Sequence, residues 1–206
     1  EIPSKTELWK NHVLNRMYME NGIAYMTAAI ITKVDTPYPK TSAVTFILAP
    51  RYLLTMRDIA PTSFQNFAHR LQQSPRQFQN SSYVLEGLLE EIITRVAYNS
   101  EIAVDTLDEL SHNIFDQQTL DHTARKSSHL MKDVLNRLGC CTDLNSKINE
   151  SLHSLSRMLV FFKQLYPADA EIHGNITILM TDTKALIQQT SFLSDKITFQ
   201  LDATLG

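Results

Sequence analysis

Residues Ile172–Gly206, IHGNITILMTDTKALIQQTSFLSDKITFQLDATLG, decide the fold. Ile172, Ile176, Leu179, Thr183, Leu186, Thr190, Leu193, Ile197, Gln200 and Thr204 alternate four and three residues apart. That heptad spacing keeps one stripe of a helix turned toward a partner. A second row, Ile178, Ala185, Phe192 and Phe199, runs beside it and is expected to widen the apolar arc. The opposite face carries Thr181, Gln188, Asp195 and Asp202, again seven apart, with Thr177, Lys184, Ser191 and Thr198 alongside. With no Gly or Pro between Gly174 and Gly206, the spacing predicts one long helix with a dry seam and a wet back.

Working backwards, Tyr166-Pro167 closes a preceding helix, and Asp169 is placed to cap the terminal one. Before it, Leu130, Val134, Leu135, Leu138, Leu144, Ile148, Leu152, Leu155, Leu159 and Phe162 mark the inner face of a second long helix. From Ser81, with Ser81 or Ser82 as cap, Leu85, Leu88, Leu89, Ile92, Ile93, Val96, Ile102, Ala103, Leu107, Leu110 and Ile114 mark another. Helices of this length exceed the usual ~11–12 residues and must pack along one another.

Proline separates this region from the front of the chain: six of seven prolines precede residue 76. There a short helix is expected over Lys5–Tyr18, ending near Gly22. Strands follow at Ile23–Lys33, Ala43–Leu48 and Tyr52–Arg57, paired antiparallel through the tight Ala49-Pro50-Arg51 connection. Pro61-Thr62-Ser63 opens a further short helix, with Thr62 or Ser63 as cap and Phe64, Phe67, Ala68 and Leu71 inward. A three-stranded sheet is thin, so helices on both faces or additional N-terminal strands are expected. The fold class is α+β: a small mixed α/β part with an antiparallel sheet over residues 1–80, then long antiparallel helices ending in a stalk over 81–206.

Net charge is −3 with acids and bases interspersed, which argues against a nucleic-acid surface. Cys140 and Cys141 are neighbours on a helix, pointing about 100° apart, and read as free thiols rather than a disulfide or metal clamp. No apolar run approaches the ~20 residues of a membrane span, so the chain reads as soluble. Five glycines leave little material for a phosphate loop, and no hydrolase or zinc-protease motif is present. The chain therefore reads as a non-enzyme. A hydrolytic metal site built from His112, His122 and His129 is a remote rival, since those histidines lie in polar surroundings. Glu86, Glu90 and Glu91 read as an ordinary exposed helix face. Asp195 and Asp202 lie roughly 10.5 Å apart along one helix, too far to share an ion within a chain. Several copies around an axis would turn each into a ring of carboxylates suited to a hard divalent cation. Otherwise they are the solvated back of a coiled coil, and the chain is a non-transport coiled-coil interaction module.

Ala43-Val-Thr-Phe-Ile-Leu48, Tyr52-Leu-Leu-Thr-Met-Arg57, the short aromatic helix after Pro61 and Leu85-Glu-Gly-Leu-Leu-Glu-Glu-Ile-Ile93 together resemble the cytoplasmic domain of CorA-type magnesium and divalent-cation transporters. Phe192-Leu-Ser-Asp-Lys-Ile-Thr-Phe-Gln-Leu-Asp-Ala-Thr-Leu-Gly206 resembles the end of that family's stalk helix, just before its first membrane span. The resemblance implies a homopentamer on the cytoplasmic face of the bacterial inner membrane, its long helices forming a funnel to the pore. The front of the family's N-terminal domain would precede Glu1. Both membrane helices and the Gly-Met-Asn signature would lie beyond Gly206. It further implies that Mg2+, with Co2+ or Zn2+ as alternatives, is the ion handled. Asp202 matches a position near the pore mouth. Asp182 falls near the stalk segment that contributes to inter-subunit regulatory sites. Glu7 falls near the acidic stretch supplying the facing ligand, which here reads Glu7-Leu8-Trp9, with a single acid.

Overall fold

The computed structural model describes residues 17–34, 36, 38–117 and 124–205, and side chains over the same range except 113–117, 124–130 and 205. Four antiparallel strands form one sheet in the order β1 (Met17–Glu20), β2 (Ile23–Thr32), β3 (Lys40–Ala49) and β4 (Tyr52–Met56). They are followed by α1 (Thr62–Gln73), a short 3-10 turn, and the long helices α2 (Ser81–Gln117), α3 (Ala124–Leu165) and α4 (Ala170–Leu205).

The first strand corrects the expectation of a helix through Tyr18. Asn21 and Gly22, at φ 50° and 76°, form a two-residue turn that pairs Glu20 with Ile23. Positive φ at both positions matches the right-handed twist of the flanking strands, and Asn-Gly adopts it most readily. That dipeptide was the available signal; periodicity over the preceding residues hid it. The rest of the expected helix lies outside the described residues.

Ala24, Met26, Ala28 and Ile30 alternate along β2 and stand opposite Leu48, Phe46, Val44 and Ser42 of β3. All but Ser42 belong to one buried cluster. The helices build onto this face: the same cluster contains Leu85, Leu89 and Ile92 of α2, Leu152, Leu155 and Leu159 of α3, and Ile172 and Ile176 of α4. Past the end of β1, the outer edge of β2 carries unpaired backbone groups, which a sheet must cover. Helix α3 covers them with two serines: the Ala29 N–H donates to Ser154 Oγ at 2.8 Å, and Ser151 Oγ donates to the Ala29 carbonyl at 2.9 Å.

Two helix caps differ from expectation. Pro61 occupies the N-cap of α1 with no side-chain cap bond, while Ser63 is buried. At α2 the cap is Asn80, whose Oδ1 accepts from the Ser82 and Tyr83 N–H groups, both at 3.1 Å. Ser81 instead donates to the Ala49 carbonyl, tying the helix to the end of β3. Asp169 caps α4 as expected, accepting from the Ile172 N–H at 3.1 Å.

Candidate cation-facing stripe on the terminal helix

Nine of the ten seam residues of α4 are buried, and Leu186 is half-buried. The seam works because one stripe of α4 meets both α2 and α3: Leu193 and Ile197 join Ala103, Leu107 and Leu110 of α2 and Val134, Leu138 and Cys141 of α3 in a second core. With that face consumed, the wet row is where periodicity put it. Thr181, Gln188, Asp195 and Asp202 are all exposed, as is Asp182. Glu7 lies outside the described residues.

The neighbouring row departs from expectation. Ile178, Phe192 and Phe199 are 61–66 % exposed and Ala185 is exposed, so they do not widen the buried arc of this chain. The physical reason is angular: three helices pack on a stripe narrower than the apolar arc α4 offers. Rows three residues apart sit about 60° apart around a helix. One helix thus presents an apolar row and an acidic row side by side.

No group of three or more His, Cys, Asp or Glu able to hold a metal is assembled among the described residues. Of the three histidines, His112 is exposed, His122 lies outside the described residues, and the side chain of His129 does too. Cys140 is exposed and Cys141 buried, both free, and burial pushes the Cys141 thiol upward.

Where α4 begins, the structure adds a cluster that sequence reasoning missed. Tyr83 Oη donates to Glu171 Oε2 at 2.9 Å, and Asn175 Nδ2 donates to Glu86 Oε1 at 2.9 Å. The hydrogen bond to Glu171 lifts the Tyr83 phenol to about 12. Glu86 is half-buried, and burial raises its carboxyl above the usual range against the opposing Asn175 bond. Arg70 of α1 takes Glu90, and Asn66 donates to Glu91 at 3.0 Å. Glu90 is on an exposed face as expected and Glu91 is half-buried, both bonding to α1 at the surface, whereas Glu86 is half-buried and bonds to α4. Only their placement opposite α1 and α4 reveals this, and position along the chain carries no trace of it.

An antiparallel four-stranded sheet with two long helices packed against it, and a third of 36 residues packed on those two and bare on its outer side, defines the class: an α+β domain extended by a long-helix bundle. The chain belongs to the CorA-like Mg2+ transporter protein family, whose family model matches residues 10–204. A magnesium transport protein CorA from Wolinella succinogenes is 23% identical over 167 residues, covering 81% of this chain. The chain spans 49% of that relative's length. The soluble domain of CorA from Methanocaldococcus jannaschii superposes with a TM-score of 0.75 at 19% identity, over 98% of this chain and 78% of that one. The complete structure of that transporter gives 0.76 at 17% identity, over 98% of this chain and 62% of the other. These likenesses confirm the expected fold class. No helix among the described residues is long and apolar enough to cross a membrane.

Proposed function

We propose that this chain is the cytoplasmic regulatory and funnel domain of a CorA-like divalent-cation transporter of the bacterial inner membrane. Residues 1–80 form its α/β part and 81–206 its bundle and stalk, with the membrane-spanning part contributed by further chain. The observation that carries the reading is the pair of bare rows on α4. An exposed row of Ile178, Phe192 and Phe199 asks for a protein neighbour, because contiguous exposed apolar surface marks interaction sites. The acidic row 60° away then faces whatever those neighbours enclose.

Around a homopentamer axis, Asp195 and Asp202 become two stacked carboxylate rings. Oxygen-only donors fit Mg2+, and the family resemblance keeps Co2+ and Zn2+ as alternatives. Asp182 and Glu7 would meet across a subunit boundary as a regulatory pair. Like charges brought together repel; a bound cation neutralises them and favours the closed arrangement. Losing the metal loosens the stalks.

Asp202→Asn in the intact protein tests this. Altered Mg2+ affinity or conductance is expected, and unchanged values of both reject the role of Asp202. A chain that self-associates through the apolar row yet shows no cation dependence is instead a coiled-coil interaction module.

A further inference from the structure

The three long helices do not share one continuous core. The sheet-side cluster ends at Val96, Ile148 and Leu179, and the distal one begins at Ala103, Cys141 and Leu193. Between them the fully buried residues are polar, while half-buried Leu144 packs against both clusters and Leu186 and Ile187 against the sheet-side one. Asn99 and Ser100 of α2 and Asn145 of α3 are each at most 2 % exposed, and Thr183 and Thr190 of α4 are buried with them. Asn99, Ser100, Asn145 and Thr190 occupy one level of the bundle, with Thr183 about two turns of α4 nearer the sheet. The Glu86–Asn175 and Asp108–Lys196 contacts set α2 beside α4 so that Asn99 falls level with the turn Ile187–Thr190. Asn145 Nδ2 donates to the Thr190 carbonyl and to Ser194 Oγ, both at 2.9 Å.

The layer is only half satisfied. Asn99 Oδ1, Ser100 Oγ and Asn145 Oδ1 are buried and have no hydrogen-bond partner among the described residues, a state shared outside the layer by Glu86 Oε2 and Gln200 Oε1. A buried polar atom left empty costs about 1–3 kcal/mol, whereas internal water typically makes about three hydrogen bonds to such groups. Of the layer residues Asn99 alone lines a cavity, of about 390 Å3, which also reaches exposed Lys33 and Asp58 between β2 and α1.

We infer that this layer is a wet joint: it takes up internal water, and the helices part there, so that the distal block opens without the sheet-side block. Water exchanges its partners at little cost, while the apolar cores on either side are close-packed and resist shear. The end of α4 carrying Asp195 and Asp202 moves with the distal block.

Hydrogen–deuterium exchange on the 206-residue chain tests the joint. Peptides covering 103–112, 134–141 and 193–201 are expected to exchange together, at least about tenfold faster than those covering 85–96, 148–159 and 172–179. The change is expected as a step at the polar layer. Ser100→Ala removes one orphaned group, makes the layer less hospitable to water, and narrows the step severalfold. A single exchange rate throughout overturns the inference, and so does a smooth gradient toward the helix tips that Ser100→Ala leaves unmoved.

Discussion

The sheet-side and distal halves of the long-helix region are built from the same helices, yet differ in how they are held. On the sheet side, α2 and α3 close over the strands with α4 laid on them, and twenty-four residues form the core among those described. In the distal half the helices have only each other, and eight residues do the same work. Polar seam residues also crowd there: Thr190, Gln200 and Thr204 are all buried, and Gln200 Nε2 reaches Ser111 Oγ and the Leu107 carbonyl. A seam that keeps heptad register while exchanging apolar atoms for polar ones holds orientation and gives up cohesion. The lesson is that helix length and helix stability are separate properties in this chain.

Cavity-forming substitutions break the comparison most forcefully. Phe162 is fully buried on the sheet side, and Phe162→Ala is expected to cost about 3–5 kcal/mol, lowering the urea midpoint of the whole chain. Leu107→Ala, equally buried in the distal half, is expected to cost about 2–3 kcal/mol, seen chiefly as faster amide exchange in the distal peptides. Equal loss of protection in both halves after Leu107→Ala would erase the distinction.

Two glycines sharpen it next. A Cβ at Gly87 would meet Phe78 Cε1 at 2.6 Å and Phe67 Cε2 at 2.9 Å, where α1 and the 3-10 turn press against α2. Gly87→Ala is therefore expected to destabilise by about 1–3 kcal/mol. Gly139, in the distal stretch of α3, has open space around the same position. Gly139→Ala should stabilise by about 0.5–1 kcal/mol through helix propensity alone. Thermal midpoints moving in the same direction would contradict the packing difference.

The smallest expected effect is electrostatic. Glu86 has a folded-state pKa raised by burial, so its charged form is disfavoured in the fold. Its contribution to stability is fully present below the ordinary carboxylate pKa and is lost as pH rises through the raised one. Glu86→Gln keeps an acceptor for Asn175 and removes the charge. The variant should melt higher than the parent at neutral pH, and the gain should vanish below the ordinary carboxylate range.

Legibility followed the source of each constraint. The α4 seam, the β2–β3–β4 meander and the Asp169 cap were readable because each depends on residues close in sequence. The Asn21-Gly22 hairpin was readable too, but the helical spacing upstream competed with it. The α2 cap fell to Asn80 rather than Ser81 or Ser82, because Ser81 is turned toward the distant Ala49 carbonyl while Asn80 Oδ1 faces the first N–H groups of the helix. Among the site residues, Asp195 and Asp202 lie on the exposed side that periodicity assigned them, and Asp182, which the resemblance singled out, is exposed as well. What they bind is not written on one chain, since the ligand set proposed for them is completed by neighbours.

Amino-acid order alone determined which stripe of α4 turns inward, because 3.6-residue periodicity leaves a helix one way to bury that set of side chains. Tertiary structure decided how wide the buried stripe is, and so left Phe192 and Phe199 bare. It also decided that Ser151 and Ser154 seal the edge of β2, and that Asn99 and Asn145 share a level of the bundle. Those outcomes depend on which segments meet across a hundred residues or on how three helices share one interior. No local pattern encodes either.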